Sequence, residues 1–329
     1  MIANRRTAVL LVVMAAVAIP GCSAKVSTGD KPTDDRQRGT LLVDEKGSSD
    51  YAISPAGRLI VKSSGYQGKE SRGLLIRSLD GKTFRPLVAG SQHPLASGAQ
   101  WMGDRRVAFS DPGKSRDSRR STLWVASLDG SAAEVPDAVL GGEDWESWTV
   151  ADIVGATDDE IYFVAHKVIG SGSDLVSIRP DGSDRTVIVS DLYLEKLRRS
   201  DIEISPDGTR AVWTQENPDK KDFNNSTVVA VGALDGSDAS VLGHGHEPAW
   251  SADSRSIVFL SNEGRKEKDG LPLLTINTAA ADGSGKPKVQ DGGYCCWAGR
   301  IQWIGNNTVV LADAAYVVGD GKLYAVTLK

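Results

Sequence analysis

The chain lacks the marks of several enzyme classes. No Gly-x-Ser-x-Gly elbow occurs in its 329 residues, so the sequence offers no α/β-hydrolase nucleophile. It also has no P-loop, and no Gly-x-Gly-x-x-Gly follows a strand pattern, which removes the usual phosphate and dinucleotide cradles. Positive charge is in deficit: 38 Lys and Arg against 43 Asp and Glu give a formal net charge of −5, and nucleic acid is not expected as a partner. Cysteine is scarce, with three copies, and two of those are adjacent. Phenylalanine numbers five against eight tryptophans, an unusual aromatic balance. Glycine, by contrast, is abundant at 35 copies and announces many turns.

One apolar run stands out, from Ala8 to Ile19, and it is too short for an ordinary membrane span. Arg5 and Arg6 precede it and Gly21-Cys22 follow it, the layout of a secretory signal. The stretch "IPGC" resembles the lipobox of bacterial lipoproteins, with Pro20 in place of the usual small residue. That resemblance implies cleavage after residue 21, lipidation of Cys22 (a palmitate-type acyl anchor) and a place on the extracytoplasmic side of the cell membrane. Residues 22–38 are polar and free of aromatics, and read as a flexible tether. The globular body is expected at residues 39–329.

Within that body the chain repeats itself. Six related units begin "YAISPAGRLIVKS" (from Tyr51), "AQWMGDRRVAFSD" (Ala99), "ADIVGATDDEIYFVA" (Ala151), "IEISPDGTRAVWT" (Ile202), "PAWSADSRSIVFLS" (Pro248) and "IQWIGNNTVVLAD" (Ile301). Each compresses two strands around a tight turn. Five continue into a third strand that ends in Asp80-Gly81, Asp129-Gly130, Asp181-Gly182, Asp235-Gly236 or Asp282-Gly283, dipeptides suited to turns with positive φ. A short fourth strand follows. Four antiparallel strands in 40 to 50 residues make a propeller blade, so the expected fold is an all-β, six-bladed propeller. The sixth unit ends at its third strand, and the apolar segment Leu41 to Val43 is left to supply its fourth and close the ring.

The units "ISPDGTRAVWT" and "AWSADSRSIVFLS" resemble the repeats of the TolB-type six-bladed propeller family, found also in the propeller halves of prolyl oligopeptidase-like enzymes. The resemblance covers residues 39–329 and implies the fold. TolB carries an α/β domain before its propeller and the peptidases carry a hydrolase domain, and the sequence has room for neither.

Function is sought on one rim. The segments 110–122, 215–227 and 261–272 are long second-to-third-strand connections, and long loops on a rigid scaffold tend to carry recognition. Candidate contacts there are Arg119 and Arg120, Trp145 and Trp148 within "GEDWESW", and Tyr294 and Trp297. His93, His244 and His246 fall in blade-to-blade connections on the same rim, where they read as surface residues with Glu247 as the one indicated acidic partner. Their convergence on a metal would make the chain an extracytoplasmic lyase or hydrolase; no metal or cofactor is otherwise implied. Cys295 and Cys296 are open to three readings: a vicinal disulfide, free thiols or a link between molecules. The sequence thus favours a monomeric, anchored propeller that binds a protein or peptide of the cell envelope and has no catalytic set.

Overall fold

In a computed structural model, residues 40–44, 51–57, 59–63, 73–79, 84–93, 96–111, 121–136, 138, 148–167, 172–190, 201–217, 219, 226–261, 273–295, 298–313 and 322–329 are described. Among them the chain forms strands joined by tight turns. The first sheet holds β2 (Tyr51–Ile53), β3 (Leu59–Ser63), β4 (Leu74–Ser78) and β5 (Phe84–Val88). The second holds β6 (Ser97–Met102), β7 (Arg106–Asp111), β8 (Thr122–Ser127) and β9 (Ala132–Glu134). The third comprises β10 (Trp148–Ala156), β11 (Ile161–Lys167), β12 (Ser173–Ile178) and β13 (Thr186–Val189). The fourth comprises β14 (Glu203–Ile204), β15 (Arg210–Glu216), β16 (Thr227–Ala233) and β17 (Ser240–His244). The fifth has β18 (His246–Trp250), β19 (Ser256–Ser261), β20 (Leu273–Ala280) and β21 (Lys288–Cys295). The sixth has β22 (Ala298–Ile304), β23 (Thr308–Asp313) and β24 (Lys322–Thr327), with β1 (Thr40–Asp44) paired antiparallel to β24. Leu41 faces Tyr324 and Thr40 faces Ala325 in that register.

The sheets are consecutive meanders, and their first strands touch in turn: β2 with β6, β6 with β10, β10 with β14, β14 with β18, β18 with β22, and β22 with β2. This is an all-β propeller of four-stranded antiparallel blades. Its core lies between blades. Leu74, Ile76 and Leu87 of the first sheet pack on Trp101, Val107 and Phe109 of the second. Val212, Val229 and Val231 of the fourth pack on Trp250, Ile257 and Phe259 of the fifth. Tyr51 of the first joins Val310, Ala312 and Leu323 of the sixth, with Leu42 of β1 against them. A four-stranded sheet cannot cover its own two faces, and the near-continuous burial along β7, β12 and β16 shows both faces covered by neighbours.

The turn chemistry is local. In "SPDG", Gly208 N–H donates to Ser205 O at 2.8 Å, and the Ser205 hydroxyl accepts the Arg210 amide at 3.0 Å while donating to Asp207. Gly208 has φ +71°, and a Cβ there would lie 2.7 Å from the Tyr162 hydroxyl, so glycine answers to both conformation and space. Ser254 takes the equivalent left-handed position in the fifth blade at φ +59°, and its hydroxyl accepts the Asp207 amide of the fourth blade at 3.1 Å. The Asp-Gly turns after β8, β12, β16 and β20 have glycines at φ +90°, +86°, +82° and +76°. Each Asp caps its own turn: Asp129 accepts the Ser131 amide and hydroxyl, and Asp181 does the same with Ser183. Those bonds hold the carboxyls of Asp129, Asp181, Asp235 and Asp282 below their ordinary value. Asp80-Gly81 lies outside the described residues.

Candidate functional site in the central channel

The abundance of tryptophan acquires a reason at the channel wall. Trp250 ends β18, Trp101 and Trp303 stand one residue before the ends of β6 and β22, and each indole N–H donates to a main-chain carbonyl of the preceding blade. The acceptors are Ala52 O at 2.9 Å, Glu203 O at 3.0 Å and Ala249 O at 3.2 Å. Glutamines one residue earlier reach the other way: Gln100 donates to Ile153 O at 3.4 Å, and Gln302 accepts the Ile53 amide at 2.9 Å. Adjacent residues on β6 and on β22 therefore bond each strand to both neighbouring blades.

On that wall lies a group of charges. Asp201 and Glu203 come from the segment leading into and through β14, His246 and Glu247 from β18, and Arg300 from β22; all are half-buried. Counting back from the latch position, Glu247 and Arg300 both lie three residues before the tryptophan, and Gly98 occupies the matching place before Trp101. Strand pairing slips at all three places, between Ser97 and Gln100, His246 and Ala249, and Ala298 and Ile301. Gly98 and Glu247 are left-handed there, at φ +61° and +51°. A bulge re-aims a side chain, and a non-glycine residue held in the left-handed region is strained. Glu247 keeps that conformation while its carboxyl joins the channel group.

The electrostatics follow from burial. Desolvation pushes the Glu203 carboxyl up to about 7, against the pull of Arg300 and a hydrogen bond from the Trp250 amide. Desolvation and the neighbouring Asp201 push Glu247 up to about 7 as well, again opposed by Arg300. Burial lowers His246, with Asp201 acting against it. The Tyr51 phenol is pushed far up by burial; its hydroxyl donates to Arg300 O at 2.8 Å and lies 3.1 Å from Val310 O, while Arg300 Nη1 donates to Tyr51 O at 3.3 Å. Glu203 and Glu247 thus share one guanidinium, with Asp201 beside Glu247 and His246.

This arrangement gives stability a sign with pH. Unfolded, the two glutamates release protons near 4.5; folded, they hold them up to about 7. Between those values the native chain binds more protons than the unfolded one, so stability falls as pH rises. Asp129, Asp181, Asp235 and Asp282 act oppositely and in a separate window: their contribution is present above 3.8 and lost as pH falls through their depressed values. His246 and His166, both lowered by burial, act with the opposite sign in the glutamates' window, so the test is a difference. Urea midpoints of the wild type minus those of the Glu203→Gln, Glu247→Gln double variant should fall as pH rises from 4.5 to 8. An unchanged slope in that variant would refute the assignment.

The histidines do not converge among the described residues, and they are not the surface groups expected. His93 is 7% exposed, its ring meeting Phe109 and Trp124 edge-on, with Nδ1 3.3 Å from Oδ2 of the fully buried Asp111. His93 is not exposed because its ring packs on Phe109 and Trp124 of the second sheet. Asp111, not Glu247, is its acidic partner. His244 and His246 end β17 and begin β18, with Gly245 alone between them, so no loop carries them. His244 Nδ1 lies 3.5 Å from Asn217 Nδ2. No group of three or more His, Cys, Asp or Glu side chains suited to a metal occurs among the described residues. Trp148 opens β10 and Tyr294 falls in β21, which runs on through Cys295, so that cysteine ends a strand and does not lie in a connection. Cys22, Arg119, Arg120, Trp145, Cys296 and Trp297 lie outside the described residues. Sequence reading missed Asp201, Glu203 and Arg300; their signal was charge on inner-strand segments of an otherwise apolar repeat.

No protein-family model matches the chain. The fold is that of TolB-type propellers. Over 85% of this chain and 90% of the other, it superposes on a putative TolB of Agrobacterium tumefaciens with a TM-score of 0.52 at 13% identity. An oligogalacturonate lyase solved in complex with manganese gives a TM-score of 0.54 at 10% identity, over 87% and 78% of the two chains. In sequence, 105 residues are 30% identical to dipeptidyl-peptidase 5 of Porphyromonas gingivalis, which takes in 31% of this chain and 15% of that protein's length. These likenesses establish the propeller fold.

Proposed function

We propose that the chain is a lipid-anchored extracytoplasmic protein whose six-bladed propeller, closed by β1, binds a protein or peptide partner and performs no chemistry of its own. The carrying observation is the channel: two buried glutamates set against one arginine, with Asp201 beside one of them, on a wall whose strands are latched to one another. Such a wall with unbalanced buried charge favours recognition of a complementary group, since its polar groups are already oriented. Arg119, Arg120, Trp145 and Trp148, expected on the long-loop rim, belong to the proposal as further contacts. The placement of His93 and His244 lends no support to a metal-dependent lyase.

Two changes test the two halves. Cys22→Ser should release the protein from the membrane fraction while its propeller melts as before, because stable attachment takes more than one acyl chain and this cysteine would carry them. Cross-linking in intact cells should capture a partner with the wild type and about tenfold less with Glu203→Gln, Glu247→Gln, the loss expected when a charged hydrogen bond disappears. Membrane retention of a correctly cleaved Cys22→Ser protein would refute the anchor. Equal capture by the double variant would move the binding site out of the channel.

A further inference from the structure

At the mouth formed by the first turns of the blades lies a cavity of ≈ 100 Å³, several times what one ordered water needs. It is too small for a helix or strand and of a size for one side chain. Its walls are about equally polar and apolar: Trp101, Trp250 and Trp303 from the inner strands and Pro55 and Pro206 from the turns supply apolar surface, and Ser54, Gln100 and Gln302 polar surface. Glu203 also lines it, and no other lining residue carries a charge. Glu247 and Arg300 neighbour Glu203, and Asp201 neighbours Glu247.

We propose that this cavity receives one cationic side chain, lysine or arginine, presented by a peptide at the turn-side mouth. The inference rests on the binding function above and names its ligand chemistry. An acidic group would meet Glu203 with no cation in the lining to offset it. An apolar side chain would strip water from the carboxylate and give it nothing in return. A lysine or arginine satisfies both features, since its methylene stem packs on tryptophan and proline while its head meets the carboxylate. Glu203 holds its proton up to about 7, so a cation should bind more tightly as pH rises past that point. The groups facing Glu203 that enter this balance are Arg300 of β22, Glu247 of β18 and the Trp250 amide.

The probes are N-acetyl-lysine methylamide, its arginine counterpart and the uncharged N-acetyl-norleucine methylamide. The readout is the indole N–H resonances of Trp101, Trp250 and Trp303 in protein carrying ¹⁵N-tryptophan, residues 23–329. At pH 8 the two cationic amides should shift these indoles saturably and at least about tenfold more tightly than norleucine, as a charged hydrogen bond would give. The preference should shrink at pH 5.5 and vanish in Glu203→Gln. Should that variant not fold, Ala252→Lys, at an exposed turn residue lining the mouth, should abolish the response by occupying the site with its own cation. Equal shifts by lysine and norleucine, or none, overturn the cation site. If partner capture in cells persists alongside that failure, the binding function stands and this inference alone falls.

Discussion

Deleting residues 39–46 is expected to lower the melting temperature of the soluble domain by about 10 °C. The segment contains β1, whose pairing with β24 supplies the fourth strand of the last sheet. Leu42 packs on the cluster of Tyr51, Val310, Ala312 and Leu323, where the first and last sheets meet. Burying one leucine contributes about 1.5–3 kcal/mol, and several backbone hydrogen bonds add about 0.5–1.5 kcal/mol each. A domain of this size shifts about 2–4 °C per kcal/mol. The deletion also bares the β24 edge, so aggregation on heating should increase. Removing residues 23–37 instead should leave the melt unchanged. If the two truncated proteins melt together, β1 does not close the ring.

Trp250→Ala should destabilise the domain by about 3–5 kcal/mol, the range for deleting a buried tryptophan. The side chain is 4% exposed and packs with Val212, Val229 and Phe259 between the fourth and fifth blades. Its indole also satisfies Glu203 O. Trp250→Phe keeps most of the packing and loses that bond, so it should cost about 1 kcal/mol. Urea unfolding monitored by circular dichroism separates the two. A phenylalanine variant as damaged as the alanine variant would show that the hydrogen bond, not the packing, holds the seam.

The two substitutions also mark where sequence reading was strong and where it stopped. Turns were legible because their causes are local: Ser205, Asp207 and Gly208 act within four residues of one another, and the four described Asp-Gly pairs carry their positive φ as expected. The pairing of β1 with β24 was anticipated from a missing strand, a deficit that can be counted along the chain. The channel group was not legible, since Asp201, Glu203, Glu247 and Arg300 belong to three different units and become neighbours through blade packing. The bulge that places Glu247 has no sequence mark of its own; Pro248 follows it, and proline also follows His93 in a different setting. His93 was misread for the same reason. Its partner Asp111 lies on another element, and the chain between them gives no hint that they meet.

The latches accept on main-chain oxygen, and that separates two tasks usually entangled in a small fold. Any residue with a carbonyl can receive the indole, and the three receiving positions hold alanine, glutamate and alanine. Evolution can therefore rewrite the lettering of the channel while the masonry stays put. Ala52 and Ala249 hold the places that match Glu203 but are buried in apolar clusters, so of the three only Glu203 reaches the cavity lining. That one position can be retuned toward a partner of different charge without disturbing its latch.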